Sequence, residues 1–190
     1  MSMPLNIENL IFSEGKMEEL REIFTPEEIQ KKVKELASTI ERDFKGKPLV
    51  IIGTLKGAFI FLADLVRNLK RKELEIDFVR VKSYGYSDAT SGEVVITKDV
   101  ELTLEGKNVV IVEDIVDTGL TLDFLIKHLT LHKPESIKIC ALIDKRERRK
   151  VEVKIDYVGF ILERGFLVGY GLDYAEKYRH LPGIYEVIKK

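Results

Sequence analysis

The chain has 190 residues, of which 45% are hydrophobic and 33% are charged, and its net charge at neutral pH is -1. This length and composition suffice for one folded domain with a sizeable core, and no run of about 18 apolar residues suggests a membrane span. The small net charge gives no overall basic surface for nucleic acid, and the polar residues within positions 1–20 are unlike a signal peptide. We therefore expect a cytoplasmic protein that binds neither nucleic acid nor membranes.

The first predicted elements alternate between helix and strand. Thr25-Pro26-Glu27-Glu28 has the form of a capping box with proline at the first helical position, and apolar residues then recur with helical spacing. This pattern predicts a helix over residues 26–44. Leu49-Val50-Ile51-Ile52 follows as a buried strand that runs into a glycine-containing loop over residues 53–57, and a second helix begins at Ala58.

The middle of the chain continues the alternation. Residues 76–82 and 94–96 are predicted strands, and the polar segment between them has too few apolar residues to belong to the core. Residues 109–112 form another apolar strand, and a helix is predicted over residues 121–132. Strands interleaved with helices predict an α/β domain, in which a mostly parallel twisted sheet is flanked by helices and binds its ligand at the carboxyl ends of the strands.

The most informative segment is Glu113-Asp114-Ile115-Val116-Asp117-Thr118-Gly119. An apolar strand ends in two adjacent carboxylates, a third carboxylate follows three residues later, and a Thr-Gly pair opens the next helix. Backbone N–H groups at a helix start bind phosphate, and carboxylates at a strand end accept hydrogen bonds from ribose hydroxyls or face a divalent cation. The segment therefore predicts a site for a phosphorylated sugar.

This segment resembles the motif with which the type I phosphoribosyltransferases bind 5-phosphoribosyl-1-pyrophosphate (PRPP). Other segments make the chain most similar to the hypoxanthine-guanine phosphoribosyltransferases, over roughly residues 26–187. Leu55-Lys56-Gly57 resembles their pyrophosphate loop, in which the Leu-Lys peptide can be cis. Lys145 ends a strand where that family places the lysine that binds the purine 6-oxo group. Residues 166–174 resemble the base-binding segment, and residues 178–182 resemble the arginine motif that follows it.

The resemblance implies an enzyme of purine salvage. It would transfer the 5-phosphoribosyl group from PRPP to hypoxanthine or guanine, giving IMP or GMP and pyrophosphate, with Mg²⁺ as cofactor and self-association as a dimer or tetramer. Residues 1–190 would form one phosphoribosyltransferase domain with a small hood made by terminal segments, the base-binding part of the hood covering residues 155–190. A mobile lid, carrying Ser83 and Tyr84, would cover residues 83–96.

The resemblance also assigns roles to individual residues. Asp117 would be the general base that accepts the purine N7 proton. Leu120 stands where some relatives carry lysine, so backbone amides and threonine hydroxyls would bind the phosphate there. The sugar and its phosphate would be bound by Glu113, Asp114, Thr118, Gly119 and Thr121; the pyrophosphate by Leu55, Lys56, Gly57 and Arg179; the purine by Lys145, Phe166, Leu167 and Asp173; and the metal by Glu113, Asp114 and Asp173.

Two alternatives stay open for the function. One is a PRPP-sensing regulator of the same fold, although such regulators carry an added DNA-binding domain or a broad basic face, and the chain has neither. The other is a phosphoribosyltransferase that prefers xanthine, because residues 161–165 lack the Pro-Asp pair often seen before the aromatic residue that stacks on the purine.

Other features have simpler interpretations. Cys140 lies in an apolar strand and is expected to be a buried, unreactive thiol. Except for Lys145, the basic run over residues 145–150 is expected to form a solvated loop. His128 and His132 are four residues apart and could bind a metal, but the sequence shows no third ligand nearby, so we expect a structural role for them.

Overall fold

The computed structural model describes residues 19–84 and 93–188. Within these ranges no helix has the length and apolar character needed to cross a membrane. The helices are α1 (Pro26–Asp43), α2 (Phe59–Asn68) and α3 (Leu120–Thr130), and the strands are β1 (Glu19–Phe24), β2 (Leu49–Leu55), β3 (Glu75–Tyr84), β4 (Glu93–Lys98), β5 (Asn108–Val116), β6 (Ser136–Lys145), β7 (Tyr157–Leu162), β8 (Leu167–Val168) and β9 (Ile184–Ile188).

The main sheet has six strands in the order β4-β3-β2-β5-β6-β7. All neighbouring pairs are parallel except the edge pair of β3 and β4, which is antiparallel. Alternate residues of the central strands point to opposite faces, so each face has its own apolar core. Helices α1 and α2 cover one face and α3 covers the other. The prediction of an α/β domain with a mostly parallel sheet is therefore confirmed.

Helix α1 begins as its sequence predicts. The Thr25 hydroxyl accepts a hydrogen bond from the Glu28 N–H at 3.2 Å, and the Glu28 carboxylate accepts one from the Thr25 N–H at 2.9 Å. This reciprocal pair satisfies two of the N–H groups that a helix start leaves without partners. The buried face of the helix consists of Ile29, Val33, Leu36, Ala37 and Ile40.

A second, small sheet contains strands from both ends of the described chain. Its order is β1-β9-β8, and both pairs are antiparallel. A hood made by terminal segments is thus present, but β7, which the predicted range of residues 155–190 includes, pairs with β6 in the main sheet. The small sheet is tied to the rest of the fold by Tyr170, whose hydroxyl donates to Asp64 of α2 at 2.6 Å. Phe24 also stacks on Phe160 of β7 with ring centroids 3.9 Å apart.

The predicted lid overlaps the edge of the main sheet. Strand β3 continues to Tyr84 and β4 begins at Glu93, and these two residues are paired across the antiparallel ladder. Residues 85–92, which form most of the predicted lid, lie outside the described residues. Cys140 of β6 is fully buried as expected, and burial raises the pKa of its thiol well above the ordinary value.

Candidate active site

The candidate site lies where β2, β5 and β6 end. These three strands are parallel neighbours, so their carboxyl ends meet at one edge of the sheet. Loops leave this edge after Leu55, after Val116 and after Lys145. Open α/β sheets commonly bind their ligands in this position. Side chains that are far apart in the sequence are therefore close together here.

The loop between β5 and α3 leaves the start of the helix free to bind an anion. Gly119 is the residue before the helix, with a φ of 80°, and has no side chain to cap it; in the described part of the chain, the only side-chain hydrogen bond at the helix start is a long one of 3.4 Å from the Leu120 N–H to the Thr118 hydroxyl. A Cβ atom at this position would also overlap the carbonyl oxygen of Val151, so only glycine fits. The Thr118 carbonyl oxygen accepts the N–H groups of Lys150 at 2.9 Å and Val151 at 3.1 Å. The loop is thus held in place while the first N–H groups of α3 remain available for a phosphate.

The two adjacent carboxylates on β5 are held in a buried position. Asp114 is 9% exposed, and the Glu113 Oε2 atom is buried without a hydrogen-bond partner among the described residues. Burial, and after it the negative charge of Asp114, raises the pKa of Glu113 to about 8. Burial is also the main cause that raises the pKa of Asp114 to about 6. Such an arrangement is expected where a cation or a hydrogen-bonding ligand is to be bound.

The loop after β2 packs directly against Asp114. The Leu55–Lys56 peptide bond is cis, as the resemblance anticipates. Gly57 lies so close to the Asp114 carboxylate that a Cβ atom would overlap it. On its other side, the Gly57 carbonyl oxygen occupies the space that a Cβ atom on Gly171 would need. The backbone of residues 55–57 is therefore enclosed between β5 and the segment that contains Gly171.

That segment, residues 170–179, carries an ion-pair network beside the loop. Arg179 pairs with Asp173 at 2.7 Å and donates to the Gly171 carbonyl oxygen at 2.8 Å. Glu176 receives the Lys56 ammonium at 2.7 Å. Four of its residues that are not glycine have positive φ angles, namely Tyr170, Ala175, Glu176 and Tyr178. Residues other than glycine rarely adopt a positive φ. Several such residues in one short segment are typical of a segment whose shape serves binding rather than stability.

Asp117 and Lys145 face each other across the ends of β5 and β6. The Lys145 ammonium lies 3.7 Å from Asp117 Oδ2, and the Arg148 guanidinium lies 3.5 Å from the same oxygen. Asp117 Oδ1 is buried and has no hydrogen-bond partner in the described part of the chain. Lys145 is only 7% exposed. One carboxylate oxygen and one buried ammonium group are thus available to a ligand at this edge.

Phe166 lies one short connection away from Lys145. Lys145 is paired with Leu162, and residues 163–165 lead from there to Phe166. The Phe166 ring is 45% exposed and meets Tyr174 edge-on at a centroid distance of 5.3 Å. Leu167 is buried in β8, where it pairs with Glu186. An exposed aromatic ring suits stacking on a flat ring.

Comparison with known proteins agrees with this geometry. The family model of the phosphoribosyl transferase domain matches residues 20–175. Hypoxanthine-guanine phosphoribosyltransferase of Bacillus subtilis is 48% identical over 162 residues, which are 85% of this chain and 89% of the relative. The chain belongs to the hypoxanthine-guanine phosphoribosyltransferases.

Other members of this family are similar over nearly their whole length. Hypoxanthine phosphoribosyltransferase of Escherichia coli is 44% identical over 170 residues, which are 88% of this chain and 95% of the relative. A crystal structure of a hypoxanthine-guanine phosphoribosyltransferase from Bacillus anthracis has a TM-score of 0.85 and 50% sequence identity, and the match covers 90% of this chain and all of that one. Members of the family act on PRPP and purine bases and generally depend on a divalent metal ion.

Arg149 is a residue that sequence reasoning placed wrongly. We expected a solvated side chain, but the side chain is only 10% exposed and pairs with Asp144. It also donates to the carbonyl oxygens of Val116 at 3.0 Å, Asp117 at 2.9 Å and Lys145 at 3.2 Å. Arg149 therefore links the end of β5 to the end of β6 through hydrogen bonds, and in this way it positions the strand ends at the candidate site. A run of basic residues in the sequence gives no signal that distinguishes it from its exposed neighbours.

The Lys56 side chain makes a contact that the sequence did not predict. The resemblance assigns it to pyrophosphate, but its ammonium pairs with Glu176, a residue that the sequence analysis did not select. The backbone of residues 55–57 is nevertheless in the expected place, beside Asp114. In this arrangement the loop offers its main chain rather than the Lys56 side chain.

Arg149→Met tests the positioning role. The substitution leaves Asp144 with only its longer contact to Arg146, at 3.3 Å, and removes the Arg149 donor from three carbonyl oxygens, so we expect the free energy of unfolding to fall by about 3 kcal/mol. Arg148→Met is the matched control, since Arg148 is 67% exposed and pairs only with Asp117 among the described residues, and should cost at most about 1 kcal/mol. Denaturant unfolding of both variants measures the difference, and equal losses would show that Arg149 is no more structural than its neighbour.

Proposed function

We propose that this protein transfers the 5-phosphoribosyl group of PRPP to hypoxanthine or guanine, forming IMP or GMP and releasing pyrophosphate. The observation that carries the proposal is the meeting, at one sheet edge, of a buried carboxylate pair, an uncapped helix start and a buried lysine. These groups match the ribose, the 5′-phosphate and the 6-oxo group of the two substrates. Self-association as a dimer or tetramer and a cytoplasmic location stay predictions.

The sugar phosphate is assigned to the loop and strand end around residues 113–121. The first N–H groups of α3, with the hydroxyls of Thr118 and Thr121, bind the 5′-phosphate, because an uncapped helix start favours an anion. The carboxylates of Glu113 and Asp114 accept hydrogen bonds from the ribose hydroxyls or from metal-bound water. Burial strengthens such hydrogen bonds, and Arg179 is a cation whose charge acts on Asp114.

Mg²⁺ is the cofactor that the donor set fits. Glu113, Asp114 and Asp173 offer only carboxylate oxygens, which are the ligands that Mg²⁺ prefers, and the charge of Asp173 is close enough to raise the pKa of Asp114 as one of its smaller causes. When bound, the metal supplies Lewis-acid neutralisation of the leaving pyrophosphate. The backbone of residues 55–57 and the Arg179 guanidinium, which pairs with Asp173 at 2.7 Å, would hold the pyrophosphate.

The purine is assigned to Lys145, Phe166, Leu167 and Asp117. The Lys145 ammonium donates to the 6-oxo group, the Phe166 ring stacks on the base, and the Leu167 backbone meets the base edge. As the purine ring nitrogen bonds to the anomeric carbon, the bond from that carbon to pyrophosphate breaks, and the N7 proton passes to Asp117. The free Oδ1 atom of Asp117 provides the place for that proton.

Base selection is the test of the whole proposal. Lys145 can donate a hydrogen bond to a 6-oxo group but cannot accept one from the 6-amino group of adenine. We therefore expect kcat/KM for adenine to be lower than for hypoxanthine or guanine, by up to about 10⁴-fold. We expect PRPP-dependent product from hypoxanthine and guanine, and kcat/KM measured with hypoxanthine, guanine, xanthine and adenine gives the ranking. If PRPP binds but no product forms from any oxopurine, the protein is a PRPP sensor rather than an enzyme.

The same assay on Lys145→Ala tests whether Lys145 is the residue that selects oxopurines over adenine. We expect kcat/KM to fall for hypoxanthine and guanine together, so the gap to adenine becomes smaller. Arg146→Ala is the matched control, because Arg146 is the next basic residue and is more than half exposed. Unchanged oxopurine kinetics in Lys145→Ala would assign base recognition to the backbone near Leu167 alone.

Asp117→Asn tests the general base. The amide keeps the shape and loses the basicity, so turnover should fall about 10²–10⁴-fold while PRPP affinity stays within a few-fold. Asp123→Asn, in the first turn of α3 and paired with Lys127, serves as the control and should keep full turnover. A parallel loss of turnover and PRPP affinity in Asp117→Asn would instead place Asp117 among the sugar-binding groups.

A further inference from the structure

A second cluster of metal-binding side chains lies at the far end of α3. It consists of Asp99, His128 and His132, and one donor atom from each lies within 4.8 Å of the other two. The sequence analysis found the two histidines four residues apart but no third ligand. The structure supplies it from the connection that follows β4, 29 residues before His128.

The contacts within this cluster already hold the donors together. The His128 Nε2 atom lies 3.0 Å and 2.9 Å from the two carboxylate oxygens of Asp99. The His128 and His132 rings meet at an angle of 64° with centroids 5.4 Å apart. Donor atoms of a tetrahedral zinc site lie about 3.4 Å apart, because zinc bonds to nitrogen and oxygen are about 2.0–2.2 Å long. A small side-chain rotation therefore brings all three donors to one ion.

The neighbouring lysines form ion pairs with other carboxylates, although Lys98 also donates to the Asp99 backbone carbonyl oxygen at 3.1 Å. Lys98 pairs with Asp77 and Glu101, and Lys127 pairs with Asp123. In the described part of the chain, the only side chain hydrogen-bonded to the Asp99 carboxylate is thus His128. The cluster also follows the last turns of α3, and the negative end of a helix dipole favours a cation.

We propose that Asp99, His128 and His132 form a surface site for a divalent transition-metal ion such as Zn²⁺. Two imidazoles and one carboxylate suit Zn²⁺, Co²⁺ or Ni²⁺, whereas Mg²⁺ and Ca²⁺ prefer oxygen ligands alone. Three protein ligands leave one position to water, so the ion exchanges with solvent. Bound there, it cross-links the connection after β4 to α3.

This site is separate from the proposed catalytic metal. The phosphate-binding loop is at the start of α3 and His128 is in its last turn, so the eight residue positions from Leu120 to His128 place them roughly 12 Å apart along the helix, and His132 lies beyond the end of the helix. None of the three ligands has a role in the proposed reaction. The test of zinc binding at this site and the test of phosphoribosyl transfer can therefore give independent results.

Proton NMR of the wild-type protein gives the most direct test. The chain has three histidines, and added Zn²⁺ should shift the ring signals of His128 and His132 at one equivalent while leaving those of His180 unchanged. No shift of the two signals at micromolar Zn²⁺ overturns the proposal. This measurement needs no substitution and so does not depend on the folding of a variant.

Calorimetric titration with Zn²⁺ then assigns the ligands. His128→Gln, His132→Gln and Asp99→Asn should each weaken one binding event by at least about 10-fold, and His180→Gln is the matched control that should keep it. Zn²⁺ should raise the Tm of the wild type and of the control, but not of the other three. Equal zinc affinity and an equal Tm rise in all five proteins would place the ion elsewhere, for instance on the carboxylates of β5, and would refute the site.

Discussion

The arrangement of the candidate site depends on two adjacent carboxylates at the end of the central strand. Glu113 and Asp114 belong to β5, which has β2 on one side and β6 on the other; Asp114 is 9% exposed, and one carboxylate oxygen of Glu113 is buried without a hydrogen-bond partner among the described residues. Burying like charges together costs free energy, and the raised pKa values of both groups reflect that cost. Backbone N–H groups and the positive charge of Arg179 offset part of this cost at Asp114; in the proposed function, the bound ligand supplies the remaining positive charge and hydrogen-bond donors.

The surrounding residues hold this unfavourable arrangement in one geometry. Gly57 packs against the Asp114 carboxylate where no side chain would fit, and Arg149 ties the end of β5 to β6 through backbone carbonyl oxygens. The positive φ angles of residues 170–178 bring the Asp173–Arg179 pair to the same loop. Local strain and buried charge are thus concentrated at one sheet edge, while the apolar cores on the two faces of the sheet provide the stability.

Features that depend on local pattern were predictable from the sequence. The cap of α1, the strand β5 with its carboxylates and the glycine before α3 each leave a signal within a few residues, because periodicity and capping are short-range effects. Contacts between distant segments leave no such signal. Arg149 is indistinguishable from Arg148 in the sequence, Asp99 gives no sign of its histidine partners, and the pairing of β1 with β9 joins residues 160 to 169 positions apart. The sequence therefore predicted the local elements of the candidate site but not the contacts between distant segments that hold them together.

The most direct test of this account is the thermal unfolding of Glu113→Gln in metal-free buffer. Because the pKa of Glu113 rises from an ordinary 4.5 to about 8 on folding, its ionisation opposes folding, weakly near pH 4.5 and fully above pH 8. We predict that the variant has a higher Tm than the wild type at pH 9, that this advantage shrinks towards pH 4.5, and that Mg²⁺ with PRPP raises the Tm of the wild type far more than that of the variant. A Tm below that of the wild type at pH 9 would contradict the account, because it would show that the Glu113 carboxylate stabilises the ligand-free fold.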